Sequence, residues 1–187
     1  MRRRSRRAGF TVIELMLVVG ILGIIATIAI PAFIRFQLRT KASEVKSNLS
    51  AIRVSEEAYH AEYGVYTSAM PVVPTSIGRD KRQWPLTPST SHGFNAMGWA
   101  PEGQVYYQYG VTSNGGMAFT VGARSNLDGD ANFNTWGLVK PIAGTSLGIV
   151  GPFGTCQTTG VYNDQSGAED LLNEIGPCNR FSGKTVF

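Results

Sequence analysis

Hydrophobic positions fall into three regimes along the 187 residues. From Phe10 to Ile34 nearly every side chain is apolar, and Glu14 is the only ionisable one. Twenty-five such residues at ~1.5 Å each span a hydrocarbon core of about 30 Å as a helix. The run then grades into an amphipathic stretch. Ala42, Val45, Leu49, Ile52, Tyr59 and Tyr63 recur every three or four residues, with Lys41, Glu44, Lys46, Asn48, Arg53, Glu57 and His60 between them, the signature of a helix with one buried face. One helix is predicted from Phe10 to Tyr63, the membrane segment being 10–34 and the amphipathic continuation 35–63. Gly64 ends it.

The third regime, residues 64–187, is a globular head. Up to Gly103 it is rich in Pro, Ser, Thr and Gly, and Pro71, Pro74, Pro85, Pro88 and Pro101 predict a long irregular connection. Its Tyr66, Trp84, Phe94 and Trp99 are expected to fold down on the core. Period-two alternation then predicts strands over Val105–Val111, Met117–Ala123 and Phe133–Val139, the first two joined by a Ser113-Asn114-Gly115-Gly116 turn. Short strands with tight turns predict an antiparallel sheet laid against the helix, an α+β fold. After Pro141 the chain is loop-rich, with Ser166 to Glu169 expected to cap a short helix that Gly176-Pro177 terminates.

Charge changes this picture at the N-terminus. Arg2, Arg3, Arg4, Arg6 and Arg7 precede the apolar run and outnumber Arg35, Arg39 and Lys41 after it, which predicts a cytoplasmic N-terminus and a head on the far side. These five arginines also carry the formal +4. Without them 12 basic residues face 13 acidic ones, net −1, which argues against nucleic acid as a partner. Cys156 and Cys178, on the oxidising side of a bacterial inner membrane and with no Cys-x-x-Cys spacing, are expected to form a disulfide. Such a bridge stabilises by roughly 3 kcal/mol on a chain-entropy estimate.

The basic leader, Gly9-Phe10, Thr11, Glu14 and the apolar run starting at that junction together resemble the class III signal of type IV prepilins. An ordinary secretory signal is cut after its apolar core. Here the resemblance implies a cut between Gly9 and Phe10, removal of the leader 1–9 and N-methylation of Phe10 by a prepilin peptidase/N-methyltransferase. It also implies retention of the apolar helix in the mature protein. Further implications are a pilin fold and a homopolymer assembled by an inner-membrane platform into an extracellular filament serving motility, adhesion or DNA uptake. Glu14 would neutralise the amino terminus of a neighbouring Phe10, and the disulfide loop would pack on the sheet and face the filament surface. The segment from Gly23 to Pro31, with β-branched Thr27, Ile28 and Ile30 between weak helix formers, would unwind on assembly. Locally, Thr11 and Glu14 also read as a capping box, and Gly20 and Gly23 as sites of close helix packing. Length and the cysteine pair favour a major pilin. The alternatives are a type II secretion pseudopilin or minor pilin, and a monomeric membrane-anchored binding protein.

Other chemistry is sparse. Asn126, Asp128, Asp130, Asn132 and Asn134 place an oxygen at every second position, which invites a calcium site. The run departs from an EF-hand, because Phe133 and Val139 stand where the turn glycine and the bidentate glutamate belong. An Asx-rich turn accounts for the same residues. His60 and His92 lack partners at catalytic or zinc spacing, and Tyr106, Tyr107 and Tyr109 lack the interleaved cations of a base-stacking platform. No enzymatic activity is expected, and no cofactor apart from that candidate calcium ion.

Overall fold

The computed structural model describes residues 9–85, 92–154 and 156–187. The leader arginines and Pro88 lie outside the described residues. The chain separates into two compact units that divide between Gln37 and Leu38.

The first unit is helical. Helix α1 (Val12–Ala42) begins just after Thr11 and runs through Pro31. Its mean hydropathy reaches 2.7 over 18 residues, enough by length and composition for a membrane span. The expected single helix is interrupted only at Ser43, whose N–H is shared by the carbonyls of Arg39 (3.1 Å) and Thr40 (3.3 Å) before α2 (Glu44–Tyr63) continues. Gly64 adopts φ 74°, a left-handed conformation open to glycine, and donates its N–H to His60 O at 2.8 Å, closing α2.

In the second unit the buried stripe of α2 is Val45, Leu49, Ile52 and Glu56. Glu56 joins the stripe unexpectedly; Tyr59 continues it as a partly buried side chain packed against the core, whereas Tyr63 is exposed. Five antiparallel strands form the main sheet in the order β1-β4-β5-β6-β9. They are β1 (Ala69–Val73), β4 (Gln108–Ser113), β5 (Phe119–Ser125), β6 (Asn134–Lys140) and β9 (Ile175–Pro177). Two-residue strands β2 (Arg82–Gln83) and β3 (Gln104–Val105) pair with each other, as do β7 (Val161–Tyr162) and β8 (Glu169–Leu171). The short helix α3 spans His92–Ala96.

The three strands read from alternation are present within two or three residues of their expected bounds. Tyr107, Tyr109, Val111, Phe119, Val121, Ala123 and Leu138 are all fully buried toward the α2 side. Two expectations fail. The 64–103 segment is not wholly irregular, since β1 pairs with β4. Pro71 lies within β1 because that strand is at the sheet edge, where a missing N–H is tolerated. The helix expected after Ser166 is absent. Asn163 O accepts from Gly167 N at 2.9 Å and Asn163 N donates to Ala168 O at 2.8 Å, closing a β7–β8 hairpin instead. Gly176-Pro177 is likewise part of edge strand β9.

Trp84, Phe94 and Trp99 pack mutually with ring centroids 5.3 Å apart, and Trp99 meets Tyr109 at 5.7 Å. The connection's aromatic residues thus complete the core on the α2 side. The opposite face carries a row of glycines in direct register: Gly110 opposite Gly122, Gly122 opposite Gly137, and Gly137 opposite Gly176. A β-carbon at Gly122 would lie 2.6 Å from Pro152 Cγ, one at Gly137 would strike Cys156 Sγ, and one at Gly176 would lie 2.8 Å from Val161 Cγ2. The row is therefore a trough in which the C-terminal segment lies, and Val139, Cys156, Val161 and Cys178 form a second buried cluster there. Cys156 and Cys178 are disulfide-bonded, with Cα atoms 4.7 Å apart.

Candidate processing and assembly site

The chain enters α1 through a reciprocal capping arrangement. Glu14 Oε2 accepts from the Thr11 N–H at 2.9 Å and from Thr11 Oγ1 at 2.7 Å, while Glu14 N donates to Thr11 Oγ1 at 3.3 Å. Two otherwise unsatisfied donors of the helix start are thereby paired within three residues. Phe10, immediately before, is 91% exposed, and Gly9 has no neighbour near its α-carbon. The Gly9-Phe10 peptide is thus an exposed, non-helical junction just before an apolar helix.

Along that helix the large apolar side chains from Val12 to Phe36 face outward, and a β-carbon added at Gly20 or Gly23 would meet nothing within 4 Å. Thr27 Oγ1 bonds back to Ile24 O at 2.7 Å. The carbonyl of Thr27 lacks its usual N–H donor because that position is Pro31.

The candidate calcium residues close on themselves. Asn126 Oδ1 accepts from Gly129 N (2.7 Å), Asn126 Nδ2 donates to Asp130 O (2.7 Å), and Asp130 Oδ1 and Oδ2 accept from Asn132 N (2.7 Å) and Asn132 Nδ2 (3.0 Å). The hydrogen bonds from Asn132 hold Asp130 below the usual carboxylate range. Among the described residues no three His, Cys, Asp or Glu side chains converge. The Asn126 and Asp130 oxygens accept from neighbouring donors in the pattern of consecutive Asx turns.

Sequence reasoning missed the charged pins between α2 and the sheet. Glu44 Oε1 accepts from Tyr106 N (3.0 Å) and the Tyr109 hydroxyl (3.3 Å), and burial pushes its pKa up. Lys140 Nζ lies 2.6 Å from Glu57 Oε1. Burial raises Glu57, but Lys140, Tyr66 and Arg53 outweigh it and hold the group below its ordinary value. Glu56 is fully buried. It accepts from Thr67 N at 3.2 Å through Oε2, its Oε1 has no partner among the described residues, and burial raises its pKa to about 7. Glu56 keeps step with Val45, Leu49 and Ile52, so continuing the helical count at that position was the available signal.

An α+β protein with an apolar, membrane-length N-terminal helix opening at a Gly-Phe junction is the class these features define. Residues 4–30 match the family model for the prokaryotic N-terminal methylation motif. The chain is 50% identical over 66 residues to the type IV major pilin protein PilA of Myxococcus xanthus strain DK1622, covering 35% of this chain and 30% of that protein. It is 46% identical over 50 residues to a fimbrial protein of Pseudomonas aeruginosa, 27% of this chain and 32% of that one. With the type IV major fimbrial protein FimA of Dichelobacter nodosus it shares 44% identity over 54 residues, 29% of this chain and 35% of that one. The chain spans about a third of the length of the curated relatives it matches. Motif and relatives support a type IV pilin, without separating a major pilin from a pseudopilin.

Proposed function

We propose that the protein is the structural subunit of a type IV pilus and carries no enzymatic activity. The observation that carries this reading is the apolar surface of α1 from Val12 to Ile34, which begins at the methylation motif and is exposed among the described residues. Before assembly the bilayer supplies that cover, with the N-terminus cytoplasmic and the head across the inner membrane. After a prepilin peptidase cuts between Gly9 and Phe10 and methylates Phe10, sibling helices supply it in an extracellular filament raised by an inner-membrane platform. In the dry filament interior Glu14 exchanges its Thr11 partners for the Phe10 amino terminus of a neighbour, since opposite charges excluded from water are each costly unless paired. The stretch from Gly23 to Pro31 unwinds there, lengthening the subunit by up to ~1.8 Å per residue, the difference between strand and helix rise.

Mass spectrometry of the mature N-terminus together with electron microscopy of sheared surface filaments tests the proposal. The expected result is methylated Phe10 in a filament lost from deletion cells. An intact Met1, or a cut beyond the apolar run, overturns it. Continuous helical density from Gly23 to Pro31 in a filament reconstruction overturns the unwinding.

A further inference from the structure

We propose that a basic cleft at the start of α2 binds the phosphate of an anionic phospholipid before assembly, an inference that rests on the membrane-anchored reading above. The cleft, about 210 Å³, lies within the second unit between Arg39, Ser43 and Lys46 on one side and Trp136, Gly183 and Phe187 on the other. Arg39, Ser43 and Lys46 are four and three residues apart and share one helix face. Arg39 has no ion-pair or side-chain hydrogen-bond partner among the described residues, and Lys46 Nζ lies 5.3 Å from the centre of the Trp136 ring. Trp136 Nε1 donates to Asn134 Oδ1 at 2.8 Å, so the indole's polar edge is engaged within the fold while the side chain lines the cleft. Gly183, at φ 75°, passes so close that a β-carbon there would sit 2.7 Å from Trp136 Cζ2. The lining holds two basic side chains and no acidic one, and Phe187 O accepts from Leu127 N at 2.8 Å. Glu44, the nearest acid in sequence, is engaged by Tyr106 and Tyr109.

This charge arrangement calls for an anion, and chain length says which one. Arg39 stands five residues beyond Ile34, the last residue of the apolar run. That separation is ~7.5 Å as helix and at most ~18 Å fully extended, whatever the arrangement of the two units. Phospholipid phosphates lie in the polar layer of roughly 5–8 Å beyond the hydrocarbon on each side. An indole in the cleft suits the interfacial layer, where tryptophan concentrates.

The test uses the full chain in neutral detergent, titrated with dihexanoyl-phosphatidylglycerol, dihexanoyl-phosphatidylcholine and glycerol 1-phosphate while the Trp136 indole resonance is followed. The expected result is at least about fivefold tighter binding of the anionic lipid than of the zwitterionic one, in keeping with pairing to two basic residues near the surface. Arg39→Gln with Lys46→Gln should abolish that preference, whereas Lys41→Gln, outside the cleft, should leave it unchanged. Equal affinity for the two lipids, a preference retained in the double variant, or its equal loss in Lys41→Gln overturns the proposal. Glycerol 1-phosphate binding as tightly as the anionic lipid overturns the lipid as its source. Flotation with phosphatidylcholine vesicles separates the two readings. Wild type that fails to float overturns the membrane anchor itself, whereas flotation without anionic preference overturns the cleft alone.

Discussion

Up to Gln37 the molecule presents its apolar side chains outward, with Phe10 91% and Ile28 75% exposed, whereas from Leu38 onward Val45, Leu49, Tyr107 and Tyr109 are sealed completely. The two regions solve opposite problems. The head supplies its own cover, helix and aromatic connection on one sheet face and C-terminal segment on the other. Among the described residues the large apolar side chains of the N-terminal helix from Val12 to Ile34 are left exposed, and on the proposed reading a bilayer or sibling helices cover them. Glycine marks the contrast. In the head it removes a side chain so that another segment can approach, while Gly20 and Gly23 have open space around them.

The largest expected effect comes from breaking the outward-facing region at Glu14, its one carboxylate. On the proposed pairing of Glu14 with a neighbour's Phe10 amino terminus, removing one member of a buried ion pair costs about 3–5 kcal/mol, so Glu14→Ala should leave the precursor in the membrane fraction while surface filaments fall by ~100-fold or more. Immunoblots of membranes beside counts of sheared filaments measure both quantities. Normal piliation would reduce Glu14 to the helix cap it forms with Thr11.

In the head the corresponding break is Gly137→Ala. Its β-carbon would strike Cys156 Sγ and approach Val121 O to 2.7 Å. Overpacking of this kind costs about 1–3 kcal/mol, and backbone on one side places Gly137 at the upper end. Denaturant unfolding of the full chain in detergent should show a lowered midpoint with the disulfide intact. An unchanged midpoint would mean that the C-terminal segment does not lie in the glycine trough.

Glu56 sharpens the account of the self-covering region, because it is the one buried stripe position of α2 that carries a charge. Its folded pKa of about 7 stands above the ordinary carboxylate value of 4.5, so the native state binds the extra proton between those pH values. Stability contributed by the neutral acid is present below about pH 4.5 and is lost as pH rises through about 7. The Glu57 carboxylate repels it and the Thr67 N–H donates to it. Glu56→Gln keeps an acceptor for Thr67 and removes the charge, so it should stabilise by ~1–2 kcal/mol at pH 8 and flatten the pH dependence between 5 and 7. Parallel pH profiles that never converge toward pH 5 would contradict it.

The N-terminal region was legible because its determinants are local. The Gly9-Phe10 junction, the Thr11–Glu14 spacing and an unbroken apolar run are each read without knowing what lies across space. Helix α2 and the three central strands were legible for a similar reason, since burial on one face leaves a period in the sequence. What escaped depends on distant partners. β1 was obscured by Pro71, which only an edge position permits. β8 and β9 carry too few residues to show alternation, and Ser166 with Glu169 imitates a helix start that a hairpin turn overrides. The glycine row is the plainest case, because Gly110, Gly122, Gly137 and Gly176 are unrelated in sequence and become one feature only through strand register.

The smallest expected effect reverses the sign of the Gly137 result. At Gly20 an added β-carbon meets nothing within 4 Å, and alanine is favoured over glycine in a helix interior by ~0.8–1.0 kcal/mol. Gly20→Ala should therefore leave the isolated subunit as stable or slightly more so, with unchanged folding of the head. Any loss must come from packing between copies, where small residues permit close approach of helices. Filament yield relative to membrane precursor isolates that term. If Gly20→Ala lowers yield while subunit stability holds, the open space around Gly20 is reserved for a neighbouring helix. If both fall together, α1 has a partner within its own chain and the contrast between the two regions fails.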